Sequence, residues 1–242
     1  MKIALIGYGK MGKAIEEIAV AKGHEIVLRI SSKTIEDFTR ENLQKADVAI
    51  EFSNPESAVE NIKVCINAGV PCVSGSTGWL QHWDELIKYV NENNGTFLYG
   101  SNFSIGVNLF FELNKCLAKL MEPHKDYEVS LEEIHHTQKK DAPSGTAITL
   151  AEQVLQEITT KQRWVNEPTG NPEDLLIVSK RVDPAPGTHM IKYSSEIDDI
   201  EIVHTAHNRK GFAGGAVLAA EFIKDKKGIF TMQDVLFSNH NS

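Results

Sequence analysis

A glycine-rich turn near the N-terminus restricts the fold of this chain more than any other feature of its sequence. The turn is Gly7-Tyr8-Gly9-Lys10-Met11-Gly12. It follows an apolar run over 3–6 and precedes apolar residues spaced as on one helix face. Between a buried strand and an amphipathic helix, G-x-G-x-x-G predicts dinucleotide binding. The glycines permit a tight turn, close approach of a pyrophosphate and close packing of helix on strand. A flexible turn without a ligand is the alternative.

Strand and helix patterns continue to alternate over the first hundred residues. Strands are predicted over 2–6, 24–30, 47–52, 71–74 and 96–99, and the later helices over 55–69 and 79–93. Strands separated by helices of this length predict βαβ units and a parallel sheet.

The pattern changes after residue 102. A long helix is predicted over 105–121, strands over 127–134, 175–182, 189–193 and 200–204, a helix over 146–158 and a loop over 160–174. Strands with few helices between them predict an α+β domain with a mixed or antiparallel sheet. A last helix over 212–224 is expected to pack on the first domain. We therefore expect an α/β protein: a Rossmann-type parallel-sheet domain of 1–103 plus 210–242, and a smaller α+β domain of 104–209.

Charge and composition exclude several classes of function. The formal net charge is −8, which argues against binding nucleic acid over a broad surface. No apolar run is long enough to span a membrane, and the run after Lys2 is too short for a signal peptide. The chain has three cysteines, Cys65, Cys72 and Cys116. Because the number is odd and no two have C-x-x-C spacing, a set of paired disulfides or a zinc site built on thiolates is not expected. We expect a protein of a reducing compartment, the cytoplasm.

The end of the second predicted strand bears on the choice of dinucleotide. NAD-preferring sites usually place Asp or Glu there to bond the ribose 2′-hydroxyl. This chain has Ile30-Ser31-Ser32-Lys33 instead. The hydroxyl of Ser32 and the ammonium of Lys33 suit a 2′-phosphate, so the sequence favours NADPH, with NADH as a second donor. Alternatively, Lys33 is a solvated loop charge.

Residues 133–146 carry the most informative set of side chains. A strand ends in His135 and His136, a loop with Lys139 and Lys140 follows, and Ser144-Gly145-Thr146 opens an amphipathic helix. Helix N-termini bind carboxylates and phosphates, and histidine exchanges protons near neutral pH. These parts together predict a site that holds an anion and moves a proton.

Each of these residues also has a simpler interpretation. Ser144 is a common type of N-cap, one of two adjacent strand histidines points into a core, and Lys139 and Lys140 would equally form a solvated face. We expect no metal site, because the histidine pair has no i+4 histidine or nearby cysteine. His204 and His207 likewise lack sequence partners, and their odd spacing directs them to opposite faces of a strand.

Residues 133–146 resemble the E-x-H-H-x-x-K-x-D-A-P-S-G-T signature of the 4-hydroxy-tetrahydrodipicolinate (dihydrodipicolinate) reductase family of bacterial lysine and diaminopimelate synthesis. Further blocks resemble the same family in order along the chain. These blocks are Gly7 to Gly12, Glu51-Phe52-Ser53, Gly75-Ser76-Thr77-Gly78, residues 101–108 and residues 209–216. The resemblance covers essentially the whole chain.

The resemblance implies a small cyclic dicarboxylate substrate, which receives hydride from NAD(P)H and loses water. It implies His135 as the acid/base residue and Lys139 as the second proton donor. The carboxylates would be held by His136, Lys139, Gly145 and Thr146. Protonation by histidine and lysine would agree with a reaction that expels a hydroxyl and then protonates an enamine. A lysine of lowered pKa would serve best, and a neighbouring cation such as Lys140 would lower it.

The resemblance also implies how the cofactor is held and how the chains assemble. Lys10 would lie near the pyrophosphate, and Arg209 would reach the cofactor. The cofactor would be lined by Gly75, Ser76, Thr77, Gly100, Ser101, Asn102 and Phe103. Family members are usually homotetramers assembled through the sheet of the second domain.

This chain departs from the family pattern at a few positions. Thr137 and Gln138 replace residues that are often basic, and Lys140 replaces a commonly apolar one. Asp183-Pro184-Ala185-Pro186 stands where a glycine-containing turn is usual. These differences affect the expected fine contacts to substrate and the role of one loop.

Two other functions fit part of the sequence. A different NAD(P)-dependent amino-acid or semialdehyde dehydrogenase would share the glycine turn, but the contiguous histidine and Ser-Gly-Thr block argues against it. A non-catalytic dinucleotide sensor would explain Gly7 to Gly12 and leave the cationic, proton-active residues without a role.

Overall fold

A computed structural model of the protein describes residues 1–208 and 210–238. The chain separates into two compact units. Unit 1 is Met1–Ile105 with the described residues from Lys210 onward, and unit 2 is the described part of Gly106–Arg209. None of the helices in these two described stretches is long and apolar enough to cross a membrane.

Unit 1 is built on a six-stranded sheet in which every pairing is parallel. Its strands are β1 (Lys2–Ile6), β2 (Glu25–Ile30), β3 (Val48–Glu51), β4 (Cys72–Ser74), β5 (Thr96–Tyr99) and β11 (Gly228–Phe230). Its helices are α1 (Lys10–Ala21), α2 (Arg40–Leu43), α3 (Pro55–Asn67), α4 (Trp83–Glu92), α7 (Lys210–Ile223) and α8 (Met232–Phe237). The strand order is β11-β5-β4-β3-β1-β2.

Helices cover both faces of this sheet. Ile3 and Leu5 of β1 pack on one face with residues of α1 and α7, whereas Ala4 and Ile6 pack on the other with α3 and α4. Because successive strand residues point to opposite faces, a strand buried on both sides is apolar throughout. The doubly covered parallel sheet confirms the predicted Rossmann-type unit, and α7 packs in this unit as expected.

Unit 2 contains a five-stranded mixed sheet of order β10-β9-β6-β8-β7. Its strands are β6 (Glu128–His135), β7 (Arg163–Val165), β8 (Asp174–Arg181), β9 (Gly187–Ser194) and β10 (Asp199–Ala206), and its helices are α5 (Ile105–Met121) and α6 (Gly145–Glu157). β6 pairs parallel to β8 and antiparallel to β9. The mixed sheet confirms the predicted α+β character.

Alternate residues of the unit 2 strands pack beneath the helices. Val129 and Leu131 of β6 lie in one apolar core with Ala147 and Leu150 of α6 and with Phe110 of α5. The residues between them on β6 are half-buried. One face of this sheet is therefore covered by helices, and the other is more exposed.

Several short elements were missing from the sequence prediction. The segment 160–174 is not wholly a loop, because it contains β7, and β11 and α8 follow the last predicted helix. The helix predicted over 79–93 begins with a 3-10 turn, Leu80–His82, before α4. Elements of three to six residues are too short to show a helical hydrophobic period.

Candidate functional site

Two glycines of the turn after β1 stand where the backbone leaves no room for a side chain. Gly7 has a φ of 93°, and the N–H groups of Gly7 and Tyr8 donate to the carbonyl oxygen of Ile30 at 3.0 and 2.9 Å. A Cβ on Gly7 would lie 2.0 Å from the carbonyl oxygen of Phe52, and one on Gly12 would lie 2.4 Å from that of Gly7. Both positions therefore require glycine for backbone packing.

Gly9 instead faces open space, since no heavy atom lies within 4 Å of the position of an added Cβ. Gly9 is the N-cap of α1, where no side chain caps the helix and no acidic residue stands in the first turn. A pocket of about 400 Å³ opens there. It is lined by Gly9, Lys10, Met11, Phe52, Ser53, Asn54, Pro55, Gly75, Ser76 and Thr77. An uncapped helix N-terminus beside this open space fits the pyrophosphate of a dinucleotide.

The pocket residues follow the carboxyl ends of β1, β3 and β4. In the sheet, β2 lies on one side of β1 and β3 on the other, so the strand order reverses at this point. Doubly wound sheets bind ligands where their strand order reverses. The pocket brings together the predicted residues Gly9–Met11 and Gly75–Thr77, and adds Phe52, Ser53 and Asn54, which the site prediction missed.

A buried carboxylate connects two of these turns. Glu51 ends β3, is fully buried and accepts hydrogen bonds from the N–H of Ser53 at 2.9 Å and from the hydroxyls of Ser74 and Ser76 at 2.6 and 2.8 Å. The indole N–H of Trp79 donates to the carbonyl oxygen of Ser76 at 2.6 Å. These bonds fix the pocket turns after β3 and β4 relative to each other.

The loop after β2 exposes Ser32 and Lys33. The hydroxyl of Ser31 accepts from the N–H of Lys33 at 3.2 Å. Arg29 of β2 already pairs with Glu16, whereas Lys33 has no ion pair among the residues described. Its ammonium is therefore available to an anionic group of a ligand.

The predicted residues Gly100–Phe103 follow β5 and do not line the pocket as it is formed by the described residues. Phe103 is a buried core residue, with its ring 5.6 Å from that of Phe52. A Cβ on Gly100 would lie 3.1 Å from the Phe103 ring. Ser101 is exposed and Asn102 half-buried. The role of this segment toward a cofactor stays a prediction.

In unit 2, the N-terminus of α6 is open to an anion. The Ser144 hydroxyl caps the helix by accepting from the N–H of Ala147 at 3.2 Å, and the N–H of Ser144 donates to both carboxylate oxygens of Glu133 at 3.1 Å. Gly145, the first helical residue, is exposed and has no heavy atom within 4 Å of an added Cβ. The first turn contains no acidic residue. The helix dipole therefore favours a negative group there.

His135 ends β6 and is buried, with Nδ1 3.4 Å from a carboxylate oxygen of Glu133. Burial lowers the pKa of His135; the charge of Glu133 opposes this shift, and those of Lys139 and Arg181 add to it. The imidazole is therefore neutral at neutral pH and able to accept a proton.

Lys139 lies in the loop between β6 and α6. Its Nζ is 2.8 Å from both carboxylate oxygens of Asp141, and its N–H donates to the carbonyl oxygen of His136 at 3.1 Å. The side chain of Lys140 is exposed. The charged group beside Lys139 is therefore the carboxylate of Asp141, rather than the Lys140 cation expected from the sequence.

The structure also brings in His189, for which the sequence suggested no role. It lies on β9 directly opposite Glu133, with Nε2 3.2 Å from the hydroxyl of Ser144. Burial lowers the pKa of His189 to about 4. The donor atoms of Glu133, His135 and His189 lie within 4.8 Å of one another, close enough to hold a metal ion. The expectation of no metal site stays a prediction. It considered sequence neighbours of the histidine pair and did not include His189.

Comparison with known families decides where this chain belongs. Residues 1–103 match the family described as "Dihydrodipicolinate reductase, N-terminus", and residues 106–236 match "Dihydrodipicolinate reductase, C-terminus". The chain belongs to the dihydrodipicolinate reductase family. This confirms the resemblance that the histidine–lysine block and the glycine turn indicated.

Relatives of this family match along most of the chain. A 4-hydroxy-tetrahydrodipicolinate reductase of Christiangramia forsetii is 48% identical over 240 residues, which cover 98% of each chain. One of Methanocaldococcus jannaschii is 35% identical over 81% of this chain and 73% of its own. The dipicolinate-bound dihydrodipicolinate reductase of Paenisporosarcina sp. TG-14 shares the fold, with a TM-score of 0.79 at 23% identity over 98% of this chain and 99% of its own. The two sequence relatives carry the name of the reaction that the sequence predicted.

Two departures from the dihydrodipicolinate reductase pattern contact each other. Asp183 accepts hydrogen bonds from the N–H of Thr137 at 3.0 Å and from its hydroxyl at 2.6 Å. These bonds hold the backbone directly after His136. The unusual loop that begins at Asp183 thus supports the loop that carries Lys139.

The remaining predicted residues of this family site are placed as follows. His136 is half-buried directly after β6, and Thr146 is half-buried in the first turn of α6. The five predicted residues thus lie at the end of β6, in the loop that follows it and in the first turn of α6. Arg209 lies outside the described residues.

Proposed function

We propose that this protein reduces 4-hydroxy-tetrahydrodipicolinate to tetrahydrodipicolinate with NADPH, with loss of water, in diaminopimelate and lysine biosynthesis. The observation that carries the proposal is the neutral, buried His135 beside Lys139 and the open N-terminus of α6, in a chain of this family. NADPH supplies the hydride when bound. The protein supplies binding groups and protons.

The binding groups divide between the two units. In unit 1, the turn from Gly7 to Gly12 would hold the pyrophosphate, and Gly75–Thr77 would line the bound cofactor. In unit 2, His136, Lys139, Gly145 and Thr146 would hold the two carboxylates of the substrate, because helix N-terminal amides and cationic side chains favour anions.

We assign the proton chemistry to His135 and Lys139. Loss of water takes the ring hydroxyl, which a general acid protonates, and a proton from the adjacent ring carbon, which a general base accepts. The enamine left by hydride addition is then protonated at carbon. His135 is neutral before substrate binds, and a dicarboxylate beside it would favour its protonated form. The Lys139 ammonium would provide the second proton.

The test of this function is turnover by the purified full-length protein. NADPH oxidation should be followed by absorbance on addition of freshly prepared 4-hydroxy-tetrahydrodipicolinate, with His135→Gln alongside. We expect turnover by wild type, and a loss of about 10²–10⁴-fold in kcat for the variant. Cofactor binding without turnover by wild type would contradict the function, whereas full turnover by His135→Gln would contradict only the role of His135.

We further propose that NADPH is preferred over NADH. Lys33 is exposed and has no ion pair in the part of the chain that is described. A side chain that binds the 2′-phosphate of NADPH would have these properties in the absence of cofactor. Lys33→Glu should raise the KM for NADPH roughly tenfold or more and leave that for NADH nearly unchanged, because the carboxylate repels a phosphate. Equal effects on the two cofactors would contradict this assignment.

We propose a cytoplasmic homotetramer assembled through the unit 2 sheet. β10 is an edge strand that exposes the apolar side chains of Ile200 and Val203, a feature that proteins usually cover. A reducing compartment would keep the thiols of the three cysteines free. Light scattering should give the mass of four chains for wild type and a smaller species for Val203→Glu. A monomeric wild-type protein would contradict the assembly.

A further inference from the structure

The register of the unit 2 sheet gathers polar side chains under the N-terminus of α6. Glu133 and His135 lie two residues apart on β6, on the buried face. Glu133 stands opposite His189 of β9, and His135 stands opposite Arg181 of β8. The same face of β6 is apolar at Val129 and Leu131. The buried face of β6 therefore changes from apolar to ionisable side chains toward its C-terminal end, where the candidate site lies.

Glu133 is held in one position from several sides. Its carboxylate is fully buried, accepts from the N–H of Ser144 at both oxygens, and accepts from Nη2 of Arg181 at 3.2 Å. Burial by itself would raise the pKa of Glu133, but hydrogen bonds from Ser144 and Ser179 hold it below its ordinary value. The group is therefore an ionised, fixed acceptor.

The two ring nitrogens of His135 have different surroundings. Nδ1 is buried, makes no hydrogen bond within the described stretches, and lies 3.4 Å from Oε2 of Glu133. Nε2 lies on the side of Gly187, where an added Cβ would come within 3.1 Å of it. A small ring rotation would bring Nδ1–H into hydrogen-bond contact with the carboxylate, and such bonds often tighten only when substrate binds.

We propose that Glu133 is a positioning residue for His135: its carboxylate selects the tautomer protonated at Nδ1, so that Nε2 exchanges the proton with substrate. Gly187 keeps Nε2 accessible, and the Glu133–Ser144 contact ties the orientation of the ring to the anion-binding end of α6. Glu133 itself does not reach the reacting atoms. The proposal rests on the assignment of His135 as the acid/base residue.

A metal ion is the other occupant that Glu133, His135 and His189 would suggest. Both carboxylate oxygens already accept from Ser144, and Arg181 adds a positive charge 3.2 Å away. Positive charge beside the donors disfavours a cation. The contacts therefore favour control of the imidazole over metal binding.

Nitrogen-15 NMR of the full-length protein tests the proposal directly. With ¹⁵N-labelled histidine and His135→Gln to assign the signal, wild type should show neutral His135 protonated at Nδ1. In Glu133→Gln the amide oxygen should turn to Ser144 and Arg181, which leaves its NH₂ facing Nδ1 and shifts the proton to Nε2. Glu132→Gln is the matched control on the other face of β6, and should keep the wild-type tautomer.

Kinetics of the same variants provide the second measurement. Glu133→Gln should lose about 10²-fold or more in kcat, because the wrong tautomer is present, with substrate KM changed less than about threefold. Gly187→Ala should lower kcat without changing the tautomer, because its Cβ would cover Nε2.

Either of two results would overturn the proposal: wild-type His135 protonated at Nε2, or Glu133→Gln with unchanged tautomer and kcat. The wild-type spectrum decides even if Glu133→Gln does not fold. Full turnover by His135→Gln would instead refute the assignment of His135 as the acid/base residue. The tautomer measurement is independent of that assignment, so the two failures can be told apart.

Discussion

Nζ of Lys139 lies 2.8 Å from each carboxylate oxygen of Asp141, two residues further along the loop between β6 and α6. The pair fixes the amine that we assign to proton donation, and substrate carboxylates would compete with Asp141 for it. Asp141→Asn should lower kcat/KM about tenfold, because the amine loses its fixed position. Steady-state assays with NADPH measure this effect. Asp126→Asn is the control at an exposed carboxylate, and an unchanged kcat/KM for Asp141→Asn would show that the pair is dispensable.

Substitution of Gly7 and of Gly9, both in the turn after β1, should affect different properties: protein stability for Gly7 and cofactor affinity for Gly9. Gly7→Ala places a Cβ 2.0 Å from the Phe52 carbonyl oxygen at a φ of 93°, so we expect a loss of about 2–4 kcal/mol in the free energy of unfolding. Gly9→Ala meets no atom within 4 Å and should keep stability but weaken NADPH binding at least tenfold. Urea unfolding and cofactor fluorescence titration separate the two effects. Normal cofactor affinity in Gly9→Ala would refute the placement of the phosphates.

Glu51 should affect cofactor binding indirectly, because it holds the pocket turns in place and has no part in the proposed proton transfers. Glu51→Gln loses acceptor capacity for Ser53, Ser74 and Ser76, so we expect a loss of about 1–3 kcal/mol in stability. NADPH affinity should fall as the turns loosen, which calorimetric titration measures. Glu56→Gln, at an exposed residue of α3, is the control. Equal affinities in both variants would mean that the Glu51 bonds do not shape the pocket.

The parallel-sheet unit was predictable from the sequence because its signals are local. β1, the glycine turn and α1 are adjacent in the chain, and strands buried on both faces are apolar throughout. β7 was not predicted because it has three residues and joins the edge of the sheet by pairing with β8. Its place depends on partners distant in the chain, which a local pattern does not reveal.

His189 should make the stability of unit 2 sensitive to acid. Its pKa is lowered to about 4 by burial, so between its ordinary pKa of about 6.5 and pH 4 the unfolded chain binds a proton that the folded chain does not. Stability therefore falls as pH falls through this range. Carboxylates titrate mostly below pH 5 and contribute little to the upper part of it.

Urea unfolding of wild type and His189→Gln at pH 7.5 and pH 5 measures this linkage. The stability advantage of wild type should narrow by about 2 kcal/mol on acidification, since the variant lacks the titrating ring. His207→Gln, at an exposed histidine, should follow wild type. A constant difference between wild type and His189→Gln would mean that the folded and unfolded chains protonate His189 alike.

The candidate site in unit 2 was only partly visible in the sequence. His135, His136, Lys139 and the start of α6 stand in one contiguous stretch, and their chemistry suggests a proton-active anion site. Glu133 was part of the motif but had no predicted role. Its role depends on contacts with Ser144 and Arg181 and on its place opposite His189, and these residues are distant from it in the chain. The pairing of Lys139 with Asp141 rather than with Lys140 is likewise a matter of loop geometry.

The most direct test of the account compares Lys139→Ala with its matched neighbour Lys140→Ala, in NADPH-dependent turnover and in NADPH affinity. Lys139→Ala should lose about 10²–10⁴-fold in kcat while it binds NADPH as wild type does, because unit 1 is unaltered. Lys140→Ala, which removes an exposed cation, should stay within about twofold of wild type. Full turnover by Lys139→Ala would contradict the assignment of proton donation to this residue.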